Sequence, residues 1–274
     1  MTYPLTGLDG KVAVVTGAGR MRSIGRHLAV ELARAGCDVV LTGTGRAPER
    51  RPADEQEAGW NDIDSVADEI RALGRRAVPV VCDVSDADHV DQLLATTRAE
   101  LGRVDVLVNN AAASRGNDRG PLIDVDVEDF DRVLRINLRG TFLMAKAFGR
   151  ELVERGEGGS IINISSIGGK QSGVGTGVYS ASKAGVQSLT STLAKELGQY
   201  GIRVNALCPG VTATSRLDDL DASTWETYVR ANIPLGRAGQ PIEIAHAAVF
   251  LASDQAAWVS GQCWNIDGGQ LTIR

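Results

Sequence analysis

The 274-residue sequence lacks several features that would place it in other classes of protein. No apolar run approaches the roughly 20 residues of a membrane span, and residues 1–10 have no basic stretch followed by an apolar core, so no signal peptide is predicted. We therefore expect a cytoplasmic protein without a membrane partner. Cysteines are few and none forms a Cys-x-x-Cys pair, which favours buried, reduced thiols over disulfides. They are Cys37, Cys82, Cys208 and Cys263.

An excess of positive charge is also missing. Lysine and arginine number 29 against 34 aspartates and glutamates, a formal net charge of −5, which does not suggest a nucleic-acid partner. The histidines, His27, His89 and His246, are far apart, so no metal site is expected. Thirty-two glycines against eight prolines predict tight turns and close backbone approaches rather than disorder.

Strand-like and helix-like segments alternate from residue 11 to the end. Alternation with nearly continuous apolar strands is typical of a parallel sheet covered on both faces. The sequence thus predicts an α/β protein, a single domain over residues 1–274 with a doubly wound, Rossmann-type sheet of about seven strands. Predicted strands are 11–16, 38–42, 77–82, 105–109, 160–165, 203–207 and 262–266; predicted helices are 23–35, 61–73, 86–101, 126–150, 178–200 and 241–252.

Two segments interrupt this alternation. Residues 43–60 form a polar, arginine-rich loop after the second strand. Residues 212–233 follow a Pro-Gly pair and carry charges together with two aromatic side chains. We expect the second segment to form a lid beside a substrate pocket.

The first strand is joined to the first helix by a glycine-rich loop. Glycines here let the backbone approach a pyrophosphate, which would lie against the positive end of the helix. A glycine cluster elsewhere is a weak signal, but at the first strand–helix junction of a parallel sheet it favours dinucleotide binding over a plain turn. The candidate residues are Gly17, Gly19, Arg20, Ser23, Ile24 and Gly25.

The end of the second strand predicts the cofactor. An acidic side chain there would bond a ribose 2′-hydroxyl, but residues 42–46 contain no carboxylate. Arg20, Arg22 and Arg46 could instead neutralise a 2′-phosphate, which favours NADP over NAD. The alternative is that these arginines are solvated loop charges.

Tyr179 and Lys183 are the strongest candidates for acid/base chemistry. Four residues apart in a predicted helix, they share one face. The ammonium favours the phenolate and brings the tyrosine pKa toward the working pH. An amphipathic surface pair has the same spacing, so this motif needs support from the rest of the chain.

That support comes from the order of the motifs. From residue 10 to residue 269 the chain resembles the short-chain dehydrogenase/reductase family, similar to its 3-oxoacyl-acyl-carrier-protein reductases. The motifs that carry the resemblance are the Thr-Gly-rich loop, Cys82-Asp83-Val84, Asn109-Asn110-Ala111-Ala112, Asn137, Ile164-Ser165-Ser166, Tyr179/Lys183, Pro209-Gly210 and Asp267-Gly268-Gly269.

The resemblance implies a catalytic set of four residues. Ser166, thirteen positions before Tyr179, would polarise the substrate oxygen, and Tyr179 would be the general acid/base. Lys183 would lower the tyrosine pKa and hold the nicotinamide ribose, while Asn137 would anchor a water chain that returns protons to Lys183. The implied reaction transfers a hydride between NAD(P) and a secondary alcohol or ketone.

The resemblance also implies cofactor contacts and an oligomer. The adenine would lie at Asp83 and Val84, although Asp83 could instead cap the following helix. The family usually forms homotetramers or homodimers, with Trp258 and Trp264 near the expected interface, although core packing would explain these two tryptophans equally well. Further implied cofactor contacts are Asn110, Ala111 and Ala112 along the ribose path, Thr44 at the 2′-phosphate, and Thr212 and Thr214 at the carboxamide.

Three departures from the family pattern leave alternatives open. The glycine loop is two residues longer than usual, as in enoyl-acyl-carrier reductases, but the interval between Tyr179 and Lys183 argues against that activity. Ala112 replaces a usual glycine, and the arginine-rich loop is unusually long. A non-catalytic dinucleotide-binding sensor is the other alternative. Arg115 and Lys170, near the expected substrate, are weaker candidates for binding a carboxylate or phosphate.

Overall fold

Seven apolar segments of the chain form the sheet that organises the molecule. The computed structural model describes residues 5–218 and 221–272. All strands in one seven-stranded sheet are parallel and lie in the order β3-β2-β1-β4-β5-β6-β7. They are β1 (Val12–Val15), β2 (Asp38–Gly43), β3 (Ala77–Val81), β4 (Val106–Asn109), β5 (Gly159–Ile164), β6 (Ile202–Pro209) and β7 (Cys263–Ile266). This confirms the predicted doubly wound, Rossmann-type α/β fold.

Helices cover both faces of the sheet. The central strand shows why: Ala13 and Val15 pack with α1, α3 and α9 on one face, and Val14 packs with α4 and α6 on the other. The helices are α1 (Ile24–Arg34), α2 (Ala53–Glu57), α3 (Ile63–Ala72), α4 (Ala87–Leu101), α5 (Val127–Leu134), α6 (Gly140–Arg155), α7 (Gly177–Leu197), α8 (Ala222–Asn232) and α9 (Pro241–Ala252). In the described ranges, none of these is both long and apolar enough to cross a bilayer.

The order of the strands places a cleft at one edge. Strand β1 is hydrogen bonded to both β2 and β4, so the direction of winding reverses between β1 and β4. Ligands of doubly wound sheets bind where this reversal opens a crevice outside the carboxyl ends of the strands. Every motif singled out in the sequence follows the carboxyl end of a strand or lies on a helix beside it.

One predicted helix is interrupted. The uninterrupted helix expected over residues 126–150 is wrong, because a π-helical turn at Arg135–Arg139 separates α5 from α6. A π turn accommodates one extra residue and reorients the side chains within it. Asn137 lies in this turn and is 1% exposed, so the irregular turn directs a polar side chain into the interior.

The arginine-rich segment is more ordered than a loop. The prediction of a plain polar loop over residues 43–60 is wrong, since it contains a 3₁₀ turn (Pro48–Arg50) and α2. Its anchor is Trp60, which is 9% exposed and donates from Nε1 to the Gly19 carbonyl oxygen at 2.7 Å. The Arg26 guanidinium carbon lies 4.9 Å from the Trp60 ring centroid. We call residues 44–62 the insert.

Candidate active site

The glycine loop is held in a shape that leaves no room for larger side chains. Gly17 has φ of 68°, and a Cβ built there would lie 2.8 Å from the Ala111 Cα. A Cβ on Gly25 would lie 2.3 Å from the Gly17 carbonyl oxygen. Glycine is therefore required at both positions for the loop to close against the start of α1.

The first turn of α1 offers free backbone donors. Ser23 caps the helix by accepting from the Arg26 amide at 3.1 Å, and its own hydroxyl donates to the Arg20 carbonyl at 2.8 Å. The amides of Ile24 and Gly25 come before the Arg26 amide in the chain. The first amides of a helix have no backbone acceptor within that helix. They form an anion-binding end of the kind that holds a pyrophosphate.

Two carboxylates that were not predicted to be part of the site, Glu55 and Asp62, lie beside the glycine loop. Glu55 accepts from the Met21 amide at 2.8 Å, and Arg46 pairs with both Glu55 (Nη2–Oε2, 3.0 Å) and Asp62 (Nε–Oδ2, 3.4 Å). A Cβ on Gly19 would lie 1.4 Å from the Asp62 Oδ1. Residues 42–46 at the end of β2 contain no carboxylate. The insert nevertheless supplies two, Glu55 and Asp62, from farther along the chain.

These contacts separate the three candidate arginines. The alternative that all three are solvated is wrong for Arg46, whose side chain is 15% exposed and ion-paired. Arg22 pairs with Asp54 at 2.7 Å and Asp218 at 2.5 Å, so its charge is balanced. Arg20 has no carboxylate within ion-pair distance among residues 5–218 and 221–272. Burial and the nearby Arg46 lower the Arg20 pKa, and a bound anion would relieve both effects.

The segment after β3 shows which residue caps α4. The helix-capping role considered for Asp83 is wrong: Asp86 is the N-cap of α4 and accepts from the Asp88 and His89 amides at 2.9 and 3.2 Å. Asp83 instead accepts from the Ser85 amide and hydroxyl at 2.9 and 2.7 Å. Its place at the adenine end remains a prediction, as does that of Val84.

Asn110 fixes the loop after β4 against the glycine loop. Its side-chain amide donates to the carbonyl oxygens of Thr16 and Gly17 at 2.8 and 2.9 Å. The Ala111 amide donates to the Thr16 hydroxyl at 3.0 Å. Residues 110 and 111 are thus hydrogen bonded to the end of β1 and the start of the glycine loop.

Tyr179, Lys183 and Ser166 come together at the other end of the crevice. The Lys183 Nζ lies 5.8 Å from the Tyr179 ring centroid and donates to the Ile164 carbonyl at 2.7 Å. The Ser166 and Tyr179 side chains line the same cleft, and the Ser166 hydroxyl acts to lower the Tyr179 pKa. Ser165 differs from Ser166 because its hydroxyl donates to the Lys183 carbonyl at 2.9 Å and accepts from the Gln187 side-chain amide at 3.0 Å.

This environment favours the phenolate of Tyr179. Burial acts to raise the tyrosine pKa, but the Lys183 ammonium, the Arg216 guanidinium and the nearby Ser166 hydroxyl outweigh it, so the pKa is lowered. Burial also lowers the pKa of Lys183, while the phenolate raises it. A tyrosine with a lowered pKa in a cleft is suited to proton transfer near neutral pH.

Asn137 connects the β4 loop to the helix that carries Tyr179. Its Oδ1 accepts from the Ala113 amide at 2.8 Å, and its Nδ2 donates to the Ser182 hydroxyl at 3.0 Å. Ser182 in turn donates to the Tyr179 carbonyl at 2.6 Å. Asn137 therefore positions the first turn of α7, and the water chain to Lys183 remains a prediction.

The cleft that these groups line has a volume of about 920 Å³. The lid predicted over residues 212–233 lines it together with residues from the loops that follow β4 and β5; residues 219 and 220 of that lid lie outside the described residues. Predicted site residues that line the cleft are Ile24, Asn110, Ala112, Ser166, Tyr179, Lys183, Thr212 and Thr214. The predicted site residues that are not among those lining it are Gly17, Gly19, Arg20, Ser23, Gly25, Thr44, Arg46, Asp83, Val84, Ala111 and Asn137.

Known proteins resemble this chain over nearly its whole length. A family model described as enoyl-(acyl carrier protein) reductase matches residues 17–270. A 3-oxoacyl-[acyl-carrier-protein] reductase from Synechocystis is 40% identical over 268 residues, which are 97% of this chain and 99% of that protein. The chain belongs to the short-chain dehydrogenase/reductase family. It is therefore a member of an oxidoreductase family that uses a nicotinamide dinucleotide.

Other relatives of this dehydrogenase/reductase chain differ in what they act on. A 2-dehydro-3-deoxy-D-gluconate 5-dehydrogenase from Escherichia coli is 35% identical, with 96% of each chain covered. A solved 7α-hydroxysteroid dehydrogenase, complexed with NADH and 7-oxo glycochenodeoxycholic acid, is 34% identical with a TM-score of 0.84. That match covers 96% of this chain and 94% of the other.

A nicotinamide dinucleotide fits the residues that the family site presents here. Gly17 and Gly25 leave no room for a Cβ because the loop packs tightly against Ala111 and the start of α1, which is the tight strand–helix turn that a pyrophosphate site needs. The crevice continues from Ile24 at the helix end to Thr212 and Thr214 near Tyr179. Its two ends match the pyrophosphate and nicotinamide ends of such a cofactor.

Two arginines in the active site were missed in the sequence. The guanidinium carbons of Arg119 and Arg216 lie 4.4 and 6.0 Å from the Tyr179 ring centroid. In the sequence, only their positions could have indicated a role: Arg119 lies in the segment after β4, and Arg216 lies in the predicted lid. The role suggested for Lys170 is wrong, because its Nζ donates to the Cys263 carbonyl and the Asn265 Oδ1 at 2.5 and 2.6 Å and so holds β7.

Proposed function

We propose that this enzyme interconverts a secondary alcohol and a ketone by hydride transfer, with Tyr179 as the general acid/base. The observation that carries the proposal is the Tyr179 phenol, with its lowered pKa, sharing one cleft with Lys183, Ser166 and the anion-binding end of α1. When bound, the nicotinamide supplies the hydride for reduction or accepts it for oxidation.

Each side chain has a separate task in this chemistry. In reduction, the Tyr179 hydroxyl donates its proton to the substrate carbonyl oxygen, and the Ser166 hydroxyl donates a hydrogen bond to the same oxygen. In oxidation, the Tyr179 phenolate accepts the alcohol proton. The Lys183 ammonium stabilises that phenolate, and Asn137 positions the backbone of α7 through Ser182.

The cofactor would lie along the glycine loop. We propose that Ile24 and Gly25 hold its pyrophosphate, Asn110 to Ala112 line the ribose path, and Thr212 and Thr214 meet the carboxamide. Asp83 and Val84 are the proposed adenine contacts. Lys183 would also hold the nicotinamide ribose.

A preference for NADP over NAD stays a proposal and depends mainly on Arg20 and Thr44. Support comes from the half-buried Arg20 guanidinium, whose lowered pKa a phosphate would raise again. Glu55 and Asp62 act against it, because they balance the charge of Arg46. Initial rates with NADPH and NADH at equal concentrations decide the matter, and faster turnover with NADH would contradict the preference.

Two alternatives are less well supported. A non-catalytic sensor would not need the complete set of Asn137, Ser166, Tyr179 and Lys183. An enoyl reductase, which the description of the matching family model names, conflicts with the four-residue interval between Tyr179 and Lys183.

The proposed function is tested with a panel of ketones and alcohols, followed by NADPH or NADH absorbance. The panel includes a 3-oxoacyl thioester and a keto sugar acid, since relatives are named for both classes. We expect turnover of at least one ketone and none of an enoyl thioester. Cofactor binding without turnover across the panel would favour a sensor.

We also propose a homotetramer or homodimer. Trp258 is fully exposed, and Phe130 and Phe142 on α5 and α6 are 38% and 48% exposed, which gives apolar surface for subunit contacts. Light scattering after size exclusion measures the assembly; a monomer at micromolar concentration would contradict the proposal.

A further inference from the structure

Besides Lys183, which the proposed mechanism uses, the substrate side of the cleft carries positive charge that hydride transfer does not require. Within the described part of the chain, four cationic side chains line the cleft and one carboxylate, Asp221, does. The cations are Arg115, Arg119, Lys183 and Arg216. Because the whole chain has a net charge of −5, this excess is local to the site.

Contacts with Asp118 and Tyr179 hold Arg119 in place and leave its two Nη groups available to a ligand. Its Nε lies 3.3 Å from an oxygen of Asp118, a carboxylate that is 2% exposed. Its guanidinium lies over the Tyr179 ring, with Cζ 4.4 Å from the centroid. Across the described residues, neither of its Nη groups has a hydrogen-bond acceptor. Burial lowers the Arg119 pKa, which makes an incoming anion a favourable partner.

Arg216 approaches the same tyrosine from the lid. It lies in the 3₁₀ turn Ser215–Leu217, directly after Thr214, and one Nη donates to the Ala113 carbonyl. Its guanidinium carbon is 6.0 Å from the Tyr179 ring centroid. No described carboxylate lies within ion-pair distance of it. Arg216 thus links the lid to the β4 loop while keeping an unbalanced charge beside the reacting position.

We propose that Arg119 and Arg216, with Arg115 at the edge, form an anion subsite for a substrate that carries a carboxylate or phosphate a few bonds from its ketone. A carbonyl that reaches the Tyr179 hydroxyl brings its neighbouring substituents within range of both guanidiniums. Planar guanidiniums suit both anions, because they donate in pairs to two oxygens. This assignment rests on the proposed function of the same site.

The test compares ketone pairs that differ only in charge. The carboxylate pairs are 3-oxobutanoate, 4-oxopentanoate and 5-oxohexanoate with their methyl esters, and the phosphate pair is dihydroxyacetone phosphate with dihydroxyacetone. We expect the best anionic ketone to have a kcat/KM at least about tenfold above its neutral partner, the effect of one charge-assisted hydrogen bond. The pair that shows it identifies carboxylate or phosphate as the anion.

Variants assign the effect to the arginines. In Arg119→Gln and Arg216→Gln, the ratio of kcat/KM for the anionic and neutral partners should fall by about 10- to 100-fold. Any effect of the arginines on the Tyr179 pKa acts on both partners and cancels in this ratio. Arg150→Gln, which alters an exposed residue of α6, should leave the ratio unchanged.

A binding measurement separates failure of the subsite from failure of the proposed function. Glutarate and inorganic phosphate, which cannot react, are titrated into the wild-type protein with NADPH present. Binding of either that weakens at least tenfold in Arg216→Gln supports the subsite even if no ketone is reduced. Equal kcat/KM for charged and neutral ketones, or no binding of either anion in a protein that turns over none, would overturn it.

Discussion

The contact between Trp60 and Gly19 makes a quantitative prediction about the insert. Trp60→Phe keeps an aromatic ring but removes the indole N–H that donates to the Gly19 carbonyl at 2.7 Å. Both residues are buried, so the variant leaves a buried carbonyl oxygen without its donor. The smaller ring also weakens the contact with Arg26.

The size of the effect follows from these contacts. Leaving one buried acceptor unpaired costs about 1–3 kcal/mol, so we expect a loss of about 2 kcal/mol in the free energy of unfolding. For 274 residues that corresponds to a fall in Tm of about 3 to 4 °C. Because Gly19 lies in the cofactor loop, NADPH affinity should fall by about three- to tenfold as well.

Thermal melts and NADPH titration of fluorescence measure the two effects. Tyr200→Phe is the control, since Tyr200 is 45% exposed and the loss of its hydroxyl should alter neither value. If Trp60→Phe melts at the wild-type temperature, the insert is not anchored to the glycine loop as described. A lowered Tm with unchanged NADPH affinity would show that the Trp60–Gly19 contact stabilises the fold but does not affect cofactor binding.

Two further predictions concern the glycine cradle and the tyrosine. Gly25→Ala places a Cβ 2.3 Å from the Gly17 carbonyl oxygen, so isothermal titration should show NADPH affinity at least about tenfold weaker than wild type. The control is Gly198→Ala, which should match wild type because there is open space around the new methyl group. Lys183→Met removes the ammonium that lowers the Tyr179 pKa, so the acid limb of the kcat–pH profile for alcohol oxidation should move to higher pH. An unmoved limb would show that Lys183 does not tune the tyrosine.

The parts of the site that the sequence predicted depend on short-range spacing. Tyr179 and Lys183 are one helical turn apart, and the glycine loop follows the first strand, so local periodicity was enough to find both. The doubly wound topology also followed, because alternating strands and helices allow few topologies. Ser166 and Asn137 needed the family resemblance, since nothing local to them signals a role.

The parts that were missed depend on contacts between distant segments. Trp60 and Gly19 are 41 residues apart, and Arg216 and Ala113 are 103 apart. No pattern in the insert shows that Glu55 and Asp62 fold back onto Arg46 rather than into solvent. Lys170 was misassigned for the same reason, because its acceptors on β7 are more than 90 residues away.

The most direct test of the account is the turnover of Tyr179→Phe with the best ketone of the panel. We predict that kcat falls by about 100- to 10,000-fold, the usual contribution of a positioned acid/base, while NADPH affinity stays within a few-fold of wild type. Tyr200→Phe, at the exposed end of the same helical segment, is the control and should retain full activity. Wild-type turnover by Tyr179→Phe would contradict the assignment of the general acid/base and, with it, the proposed mechanism.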